Sequence, residues 1–176
     1  MKVAAQYADL LIAPYKGTLV DLVASGDERE QFIRKANTLP SVQLSSRSMC
    51  DLELLATGAF SPLDRFMGSA DYERTLEEMR LADGTLFPIP IALPLNLPDG
   101  VRIGHEIALR SPQNELMAVM RVDESFARDL TMESLRVYGT TDSRHPLVAE
   151  MAAWPRAELV QDARYWAAMV PAQGSL

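Results

Sequence analysis

The hydrophobic pattern of this chain of 176 residues changes from helical to extended near residue 84, and this change constrains the fold more than any other feature. Before it, apolar residues recur at helical spacing and predict helices over 27–38, 47–57 and 70–80. Between the first two helices, Val42 and Leu44 alternate with polar neighbours and predict a short strand. The first half of the chain is therefore expected to be mainly helical.

Two of these helices carry signals at their ends. Ser45 or Ser46 can cap the helix over 47–57, and Gly58 is placed to end it in a left-handed conformation. Ser69 can cap the helix over 70–80. Arg47 and Asp51 have i, i+4 spacing and can pair on the helix surface.

After residue 84 the chain predicts strands and then helices again. The segment FPIPIALPL (87–95) predicts an edge or bulged strand, because its prolines lack backbone donors. Segments 105–110 and 116–123 flank a turn and predict a hairpin. Residues 125–137 and 147–169 predict further helices, the latter broken at a proline. Because strands and helices are segregated, the pattern predicts an α+β domain whose sheet closes as a small barrel, without saying which barrel.

Composition argues against several classes of function, among them broad binding of nucleic acid and insertion into a membrane. The net charge of −7 and the pI of about 4.8 disfavour a broad basic surface for nucleic acid or an anionic membrane. Cys50 is the single cysteine, so no internal disulfide can form. The N-terminal residues make a poor signal peptide, and no apolar run reaches the roughly 18 residues of a membrane span. We therefore predict a cytoplasmic protein without a membrane partner.

Motifs that carry catalysis are absent from the sequence. It contains no phosphate-binding GxxxxGK[ST] or GxGxxG loop and no GxSxG elbow. Its two histidines, His105 and His145, lack metal-ligand spacing. A nucleophilic pair of Cys50 with a histidine stays open, although Cys50 falls on the apolar side of a predicted helix, where a thiol packs. We therefore predict no catalytic, cofactor-binding or metal-binding residue in this chain.

Four motifs in order resemble one enzyme family. They are CDLELLATGAFSPLDRFM (50–67), DYERTLEEMRLADGTLFPIPI (71–91), VYGTTDSRHP (137–146) and, more loosely, PYKGTLV (14–20). Together they resemble the N-terminal PUA-like domain of sulfate adenylyltransferases (ATP sulfurylases) over roughly residues 10–150. Three positions depart from the family pattern, since Lys16, Ala59 and Arg65 stand where glycine is usual. A side chain there restricts a positive-φ backbone.

The resemblance implies a fold and a division of labour. The fold is a PUA-like pseudo-β-barrel with flanking helices, over residues 1–150, and residues 151–176 form a helical tail or a linker toward a catalytic domain. In the family, that following domain makes adenylyl sulfate and pyrophosphate from ATP, with Mg²⁺, and sulfate. It uses Gln-x-Arg-Asn-Pro and His-x-x-His motifs, and neither occurs in these residues. The resemblance therefore implies a non-catalytic domain, inactive alone, whose partner is a catalytic domain in cis or in trans.

The resemblance also supplies candidate residues for structure or for the contact with the catalytic domain. They come from the shared motifs and are Phe60, Ser61, Pro62, Leu63, Phe66, Met67, Arg80, Asp83 and His145. An alternative function remains, in which the domain is a stand-alone binding module, for RNA for example, or a regulatory or dimerisation module. Formation of a homo-oligomer is compatible with either function.

Overall fold

Three α-helices occupy the described part of the first half of the chain, within two residues of the predicted bounds. The computed structural model describes residues 12–153 and 158–163. The helices are α1 (Gly26–Ala36), α2 (Ser46–Ala56) and α3 (Ser69–Glu78). Helix α2 begins where predicted, because the Ser45 hydroxyl accepts a hydrogen bond from the Ser48 amide at 3.0 Å.

Within the described residues, five strands form one mixed sheet. They are β1 (Ser41–Gln43), β2 (Leu93–Leu95), β3 (Glu106–Arg110), β4 (Leu116–Phe126) and β5 (Glu158–Ala163), in the order β1-β3-β4-β5-β2. Strand β1 runs parallel to β3, and the other neighbours are antiparallel. The predicted hairpin is the β3–β4 pair, and the predicted α+β class is confirmed.

The sheet is covered on both faces, which explains the imperfect alternation of the hairpin sequence. Ile107 and Leu109 pack into the main core with residues of α2 and α3. Ala108, between them, packs with Ala36 of α1 and with Val119 on the opposite face. A strand buried on both faces reads as a continuous apolar run rather than as alternating residues.

The C-terminal half corrects three predictions. Only Leu93–Leu95 of the segment 87–95 is a strand, since Pro88 and Pro90 cannot donate to a ladder. The helix expected over 125–137 begins later, because β4 continues to Phe126 and α4 spans Leu130–Tyr138. Asp129 sets that start by accepting a hydrogen bond from the Met132 amide at 2.9 Å.

The third correction concerns the segment 147–169, which was expected to be helical. Helix α5 (Pro146–Ala153) is present, but Glu158–Ala163 is the strand β5. It pairs with β4 on one side and with β2 on the other, so backbone pairing to two strands overrides local helical preference. The domain boundary at residue 150 stays a prediction, and β5 lies beyond it in the same sheet. Residues 154–157 and 164–176 of the proposed tail lie outside the described residues.

Gly58 lies where residues 19–22 of the N-terminal segment pack against the end of α2. Its φ of +81° is left-handed, and a Cβ built there would lie 2.1 Å from the carbonyl oxygen of Val20. Nearby, the Leu22 amide donates to the carbonyl of Ala56 at 2.9 Å. The prediction that Gly58 ends this helix in a left-handed conformation is therefore confirmed, and the close approach of residues 19–22 gives a second reason for glycine.

The three residues that replace glycines of the family pattern differ in their backbone conformation. Lys16 does adopt a positive φ of 63°. Ala59 and Arg65 do not, because neither is among the residues with positive φ in the described part of the chain. The loop restriction expected from missing glycines therefore concerns only Lys16.

Two smaller predictions are wrong. Cys50 is exposed rather than packed on the apolar side of α2. Ser69 does not cap α3 but is its first residue, and its amide and hydroxyl donate to the Glu124 carboxylate at 3.0 Å and 2.6 Å. Within the described residues, no helix is both long and apolar enough to cross a membrane.

Candidate functional site

A cavity of about 260 Å³ lies beside the N-terminus of α2. One part of its wall is apolar and comes from β1, from β2 and from the segment that precedes β2: Val42, Pro90, Ala92, Pro94 and Leu95. The remaining wall is polar and comes from four separate segments: Gln43, Ser45, Arg47, Ser48, Asp51, Asn96, Arg128 and Glu133. An apolar wall facing a few convergent polar groups is the usual composition of a small-molecule site.

Helix α2 and its N-cap supply half of the eight polar residues of the wall. Arg47 and Asp51 are four residues apart, so they lie on the same side of the helix. Burial raises the pKa of the Asp51 carboxyl, and the positive charge of Arg47 only partly opposes that rise. The ionised carboxylate of Asp51 is therefore held in a poorly solvated position at the cavity wall.

An ion pair closes another side of the cavity. Arg128 binds the Glu133 carboxylate through two hydrogen bonds of 2.6 Å, and the two side chains are 7% and 9% exposed. The Tyr72 hydroxyl donates to the same carboxylate at 2.6 Å. Burial would lower the pKa of Arg128, but the hydrogen bonds and charge of Glu133 outweigh it and raise that pKa. Burial and then the charge of Glu133 raise the pKa of Tyr72, so this phenol stays protonated.

Sequence reasoning did not find this cavity. A cap near Ser45 and the i, i+4 spacing of Arg47 and Asp51 are visible in the sequence, but only as local features of a helix. Tyr72 and Glu133 are 61 residues apart, so no short-range spacing signals their contact. A glutamate in the apolar part of a predicted helix was the one available sign, because buried carboxylates need a partner.

The candidate residues of the FSPLDRFM segment lie mainly in the core. Leu63, Phe66 and Met67 are buried, and Phe60 packs partly against the same cluster. Ser61, which precedes Pro62 through a cis peptide bond, accepts a hydrogen bond from the Val20 amide at 3.0 Å. The structure therefore brings these six residues together as an internal loop. Their role in contacting another domain stays a prediction.

Arg80 and Asp83 lie in a tight hairpin after α3. Arg80 pairs with Leu86 in an antiparallel bridge and donates to the carbonyl of Gly84 at 3.0 Å. Asp83 accepts a hydrogen bond from the Thr85 amide at 2.8 Å, and the nearby Thr85 side chain and then this backbone hydrogen bond lower the pKa of its carboxyl. Both residues are exposed and neither lines the cavity, and their contact role also stays a prediction.

His145 lies at the start of α5, apart from the other candidates. Its ring stacks on Tyr138 with centroids 5.4 Å apart, and its amide donates to the carbonyl of Asp142 at 2.9 Å. The buried Nδ1 atom has no hydrogen-bond partner within the part of the chain that the structure describes. This packing connects the end of α4 to the start of α5, and a role for His145 in contacting the catalytic domain stays a prediction.

Within residues 12–153, no three His, Cys, Asp or Glu side chains are grouped so that they could hold a metal ion. In the cavity, two carboxylates face two guanidinium groups, so its formal charge is zero. Binding through hydrogen bonds is the chemistry that this arrangement supports.

Comparison with known proteins identifies the family. Residues 12–159 match the PUA-like domain family. A sulfate adenylyltransferase of Symbiobacterium thermophilum is 47% identical over 142 residues, which cover 80% of this chain and 36% of that protein. A sulfate adenylyltransferase of Nostoc punctiforme is 40% identical over 153 residues, covering 86% of this chain and 39% of that protein. The chain thus spans well under half the length of these relatives.

A solved structure agrees with this match. The hexameric APS kinase from Thiobacillus denitrificans superimposes with a TM-score of 0.61 and is 35% identical, covering 68% of this chain and 24% of that one. The predicted PUA-like fold is therefore confirmed. The chain belongs to the PUA-like domain family, in the form of that domain found in the N-terminal region of sulfate adenylyltransferases.

Proposed function

We propose that this chain is the non-catalytic domain of a sulfate adenylyltransferase and that it supports a catalytic domain supplied in cis or in trans. That assembly would transfer the adenylyl group of ATP to sulfate and release pyrophosphate. The observation that carries the proposal is the 47% identity to the Symbiobacterium thermophilum enzyme over a region that makes up 36% of that enzyme. We also propose a cytoplasmic location, on the basis of the lone cysteine and the apolar pattern of the sequence.

The charges of the cavity support the assignment of catalysis to a separate domain. Adenylyl transfer needs surplus cations and donors around the phosphates, usually with Mg²⁺. Of the two guanidinium groups at the cavity wall, that of Arg128 is already bound by Glu133. Because the carboxylates balance the cations, the cavity does not fit a magnesium–triphosphate group. We therefore assign ATP and Mg²⁺ to the catalytic domain.

The hairpin after α3 is the surface we propose for contact with that domain. It presents three large apolar side chains that are about half exposed, Met79, Leu86 and Ile89. The candidate residues Arg80 and Asp83 lie between them and give the surface a charged centre. An apolar patch with a few charges suits an interface between domains of one enzyme.

The direct test is a reconstitution assay. Pyrophosphate release from ATP and sulfate would be measured with this chain alone, with the catalytic part of the Symbiobacterium thermophilum enzyme alone, and with both. We expect no turnover by this chain alone and a higher rate for the mixture than for the catalytic part. Turnover by the isolated chain would overturn the proposal.

A matched pair of variants tests the proposed surface. Leu86 and Leu135 are 51% and 50% exposed, but Leu135 lies on α4 rather than on the hairpin. Leu86→Ser should weaken the dependence of the mixture on this chain, whereas Leu135→Ser should not. Equal effects of the two substitutions would exclude the hairpin as the specific contact.

Self-association is a second proposal, favoured by the hexameric state of the APS kinase from Thiobacillus denitrificans. Here the domain would contribute to assembly as well as to support of the catalytic domain. Light scattering at two protein concentrations separates a monomer from an oligomer. A mass equal to one chain at both concentrations would reject self-association by this domain.

A further inference from the structure

The cavity beside α2 is too small for a large ligand and too polar for a purely apolar one. Its volume of about 260 Å³ is slightly below the ~300–1,000 Å³ of pockets that hold drug-sized molecules. The apolar wall formed by Val42, Pro94 and their neighbours offers a surface on which a flat ring can pack. These dimensions suit a single ring or two fused rings.

The charges of the wall favour a neutral occupant. Arg128 and Glu133 form an ion pair with two short hydrogen bonds, so together they present little net charge to a ligand. Arg47 and Asp51 contribute one charge of each sign on the same side of α2. A free anion would gain from one group of this pair and be repelled by the other, and the same holds for a free cation.

The Asp51 carboxylate is the group that a ligand would satisfy. Asp51 is partly buried, and burial is the main cause of its raised pKa, so the ionised group has lost part of its water. No hydrogen bond reaches its side chain within residues 12–153, and Arg47 acts on it only through its charge. An N–H group of a ligand would replace the lost water. The side-chain amides of Gln43 and Asn96 also line the cavity and offer both donors and acceptors.

We propose that this cavity binds a neutral planar heterocycle with N–H donors next to carbonyl or ring-nitrogen acceptors, the chemical class of free nucleobases. Asp51 accepts a hydrogen bond from the ligand's N–H, and the ring packs on the proline-rich wall. None of the contact residues proposed on the hairpin lines the cavity, and the cavity's ligand does not have to be a substrate of the enzyme. Binding can therefore be tested without any catalytic domain.

The test is a titration of the full chain, labelled with ¹⁵N, by adenine and by uracil, followed by amide chemical shifts. Glycine and sodium sulfate serve as zwitterionic and anionic probes. We expect millimolar or tighter binding of at least one base, with shifts at the start of α2 and at β2. No shifts with either base, or stronger binding of glycine or sulfate than of the bases, would overturn the proposal.

Two substitutions on α2 identify the group that binds. Asp51→Asn removes the charged acceptor, and we expect affinity for the base to fall roughly ten- to a hundred-fold, as for loss of a charge-assisted hydrogen bond. Glu53→Gln removes the same charge two residues away, outside the cavity wall, and should leave the affinity unchanged. Because Asp51→Asn removes a poorly solvated charge, it should keep the fold, which circular dichroism will verify. Unchanged affinity in a folded Asp51→Asn variant would also overturn the proposal.

Discussion

Replacement of Gly58 by alanine tests how the N-terminal segment is held against α2. The left-handed φ of +81° costs an L-residue about 1–2 kcal/mol. In addition, the new Cβ would lie 2.1 Å from the Val20 carbonyl oxygen, so residues 19–22 must move away. That movement puts at risk two hydrogen bonds, from the amides of Val20 and Leu22, each worth about 0.5–1.5 kcal/mol. We therefore expect Gly58→Ala to lower the free energy of unfolding by about 2–5 kcal/mol.

Gly100→Ala is the matched control for this prediction. Gly100 has nearly the same φ, +83°, but no atom lies within 4 Å of the Cβ position. The control should therefore lose only the conformational part, about 1–2 kcal/mol. Urea unfolding followed by circular dichroism gives both free energies. Equal losses for the two variants would refute the close approach of the Val20 carbonyl to α2.

Three further substitutions test charges inside the domain. Asp51→Asn should raise the thermal midpoint at pH 7, and this gain should vanish in acid. The pKa of Asp51 is raised in the folded state, so the protonated carboxyl contributes stability below its ordinary pKa of 3.8. That stability is lost as the pH rises through the folded-state pKa, and asparagine does not lose it. Glu133→Ala should cost about 3–5 kcal/mol, because it leaves the buried Arg128 charge uncompensated; urea unfolding measures this loss. Glu124→Ala should cost about 1 kcal/mol by removing the acceptor of the Ser69 amide at the start of α3, also measured by urea unfolding.

Each of these substitutions has an outcome that would contradict its reasoning. A lower midpoint for Asp51→Asn at pH 7 would mean that attraction to Arg47 outweighs burial. Glu30→Ala breaks an exposed ion pair with Arg34 and should cost less than about 1 kcal/mol; a similar cost for Glu133→Ala would show that its pair is not buried. For Glu124→Ala, unchanged amide exchange in the first turn of α3 would argue against capping.

The sequence was informative where local chemistry decides the structure. The Ser45 cap, the end of α2 at Gly58 and the β3–β4 hairpin all follow from residues that are neighbours in the chain. The α+β class follows from the segregation of helical and extended patterns. These features depend on hydrogen bonds and backbone angles within a few residues, so a single sequence suffices to predict them.

The sequence failed where distant segments decide the structure. Strand β5 exists because β4 and β2 both pair with Glu158–Ala163, and no pattern inside that segment shows this. The capping of α3 by Glu124 joins residues 55 apart. The cavity is assembled in the same way, from β1, α2, the β2 region and α4, so its polar groups could not be gathered from spacing alone.

The central claim is that this domain supports adenylyl transfer without performing it. The most direct measurement titrates the chain into a fixed amount of the Symbiobacterium thermophilum catalytic part and follows adenylyl sulfate formed from labelled sulfate. We predict a rate that rises and saturates as the chain is added, with no product when the chain is incubated with ATP and sulfate alone. Product formed by the chain alone, or a rate that does not respond to its addition, would contradict the claim.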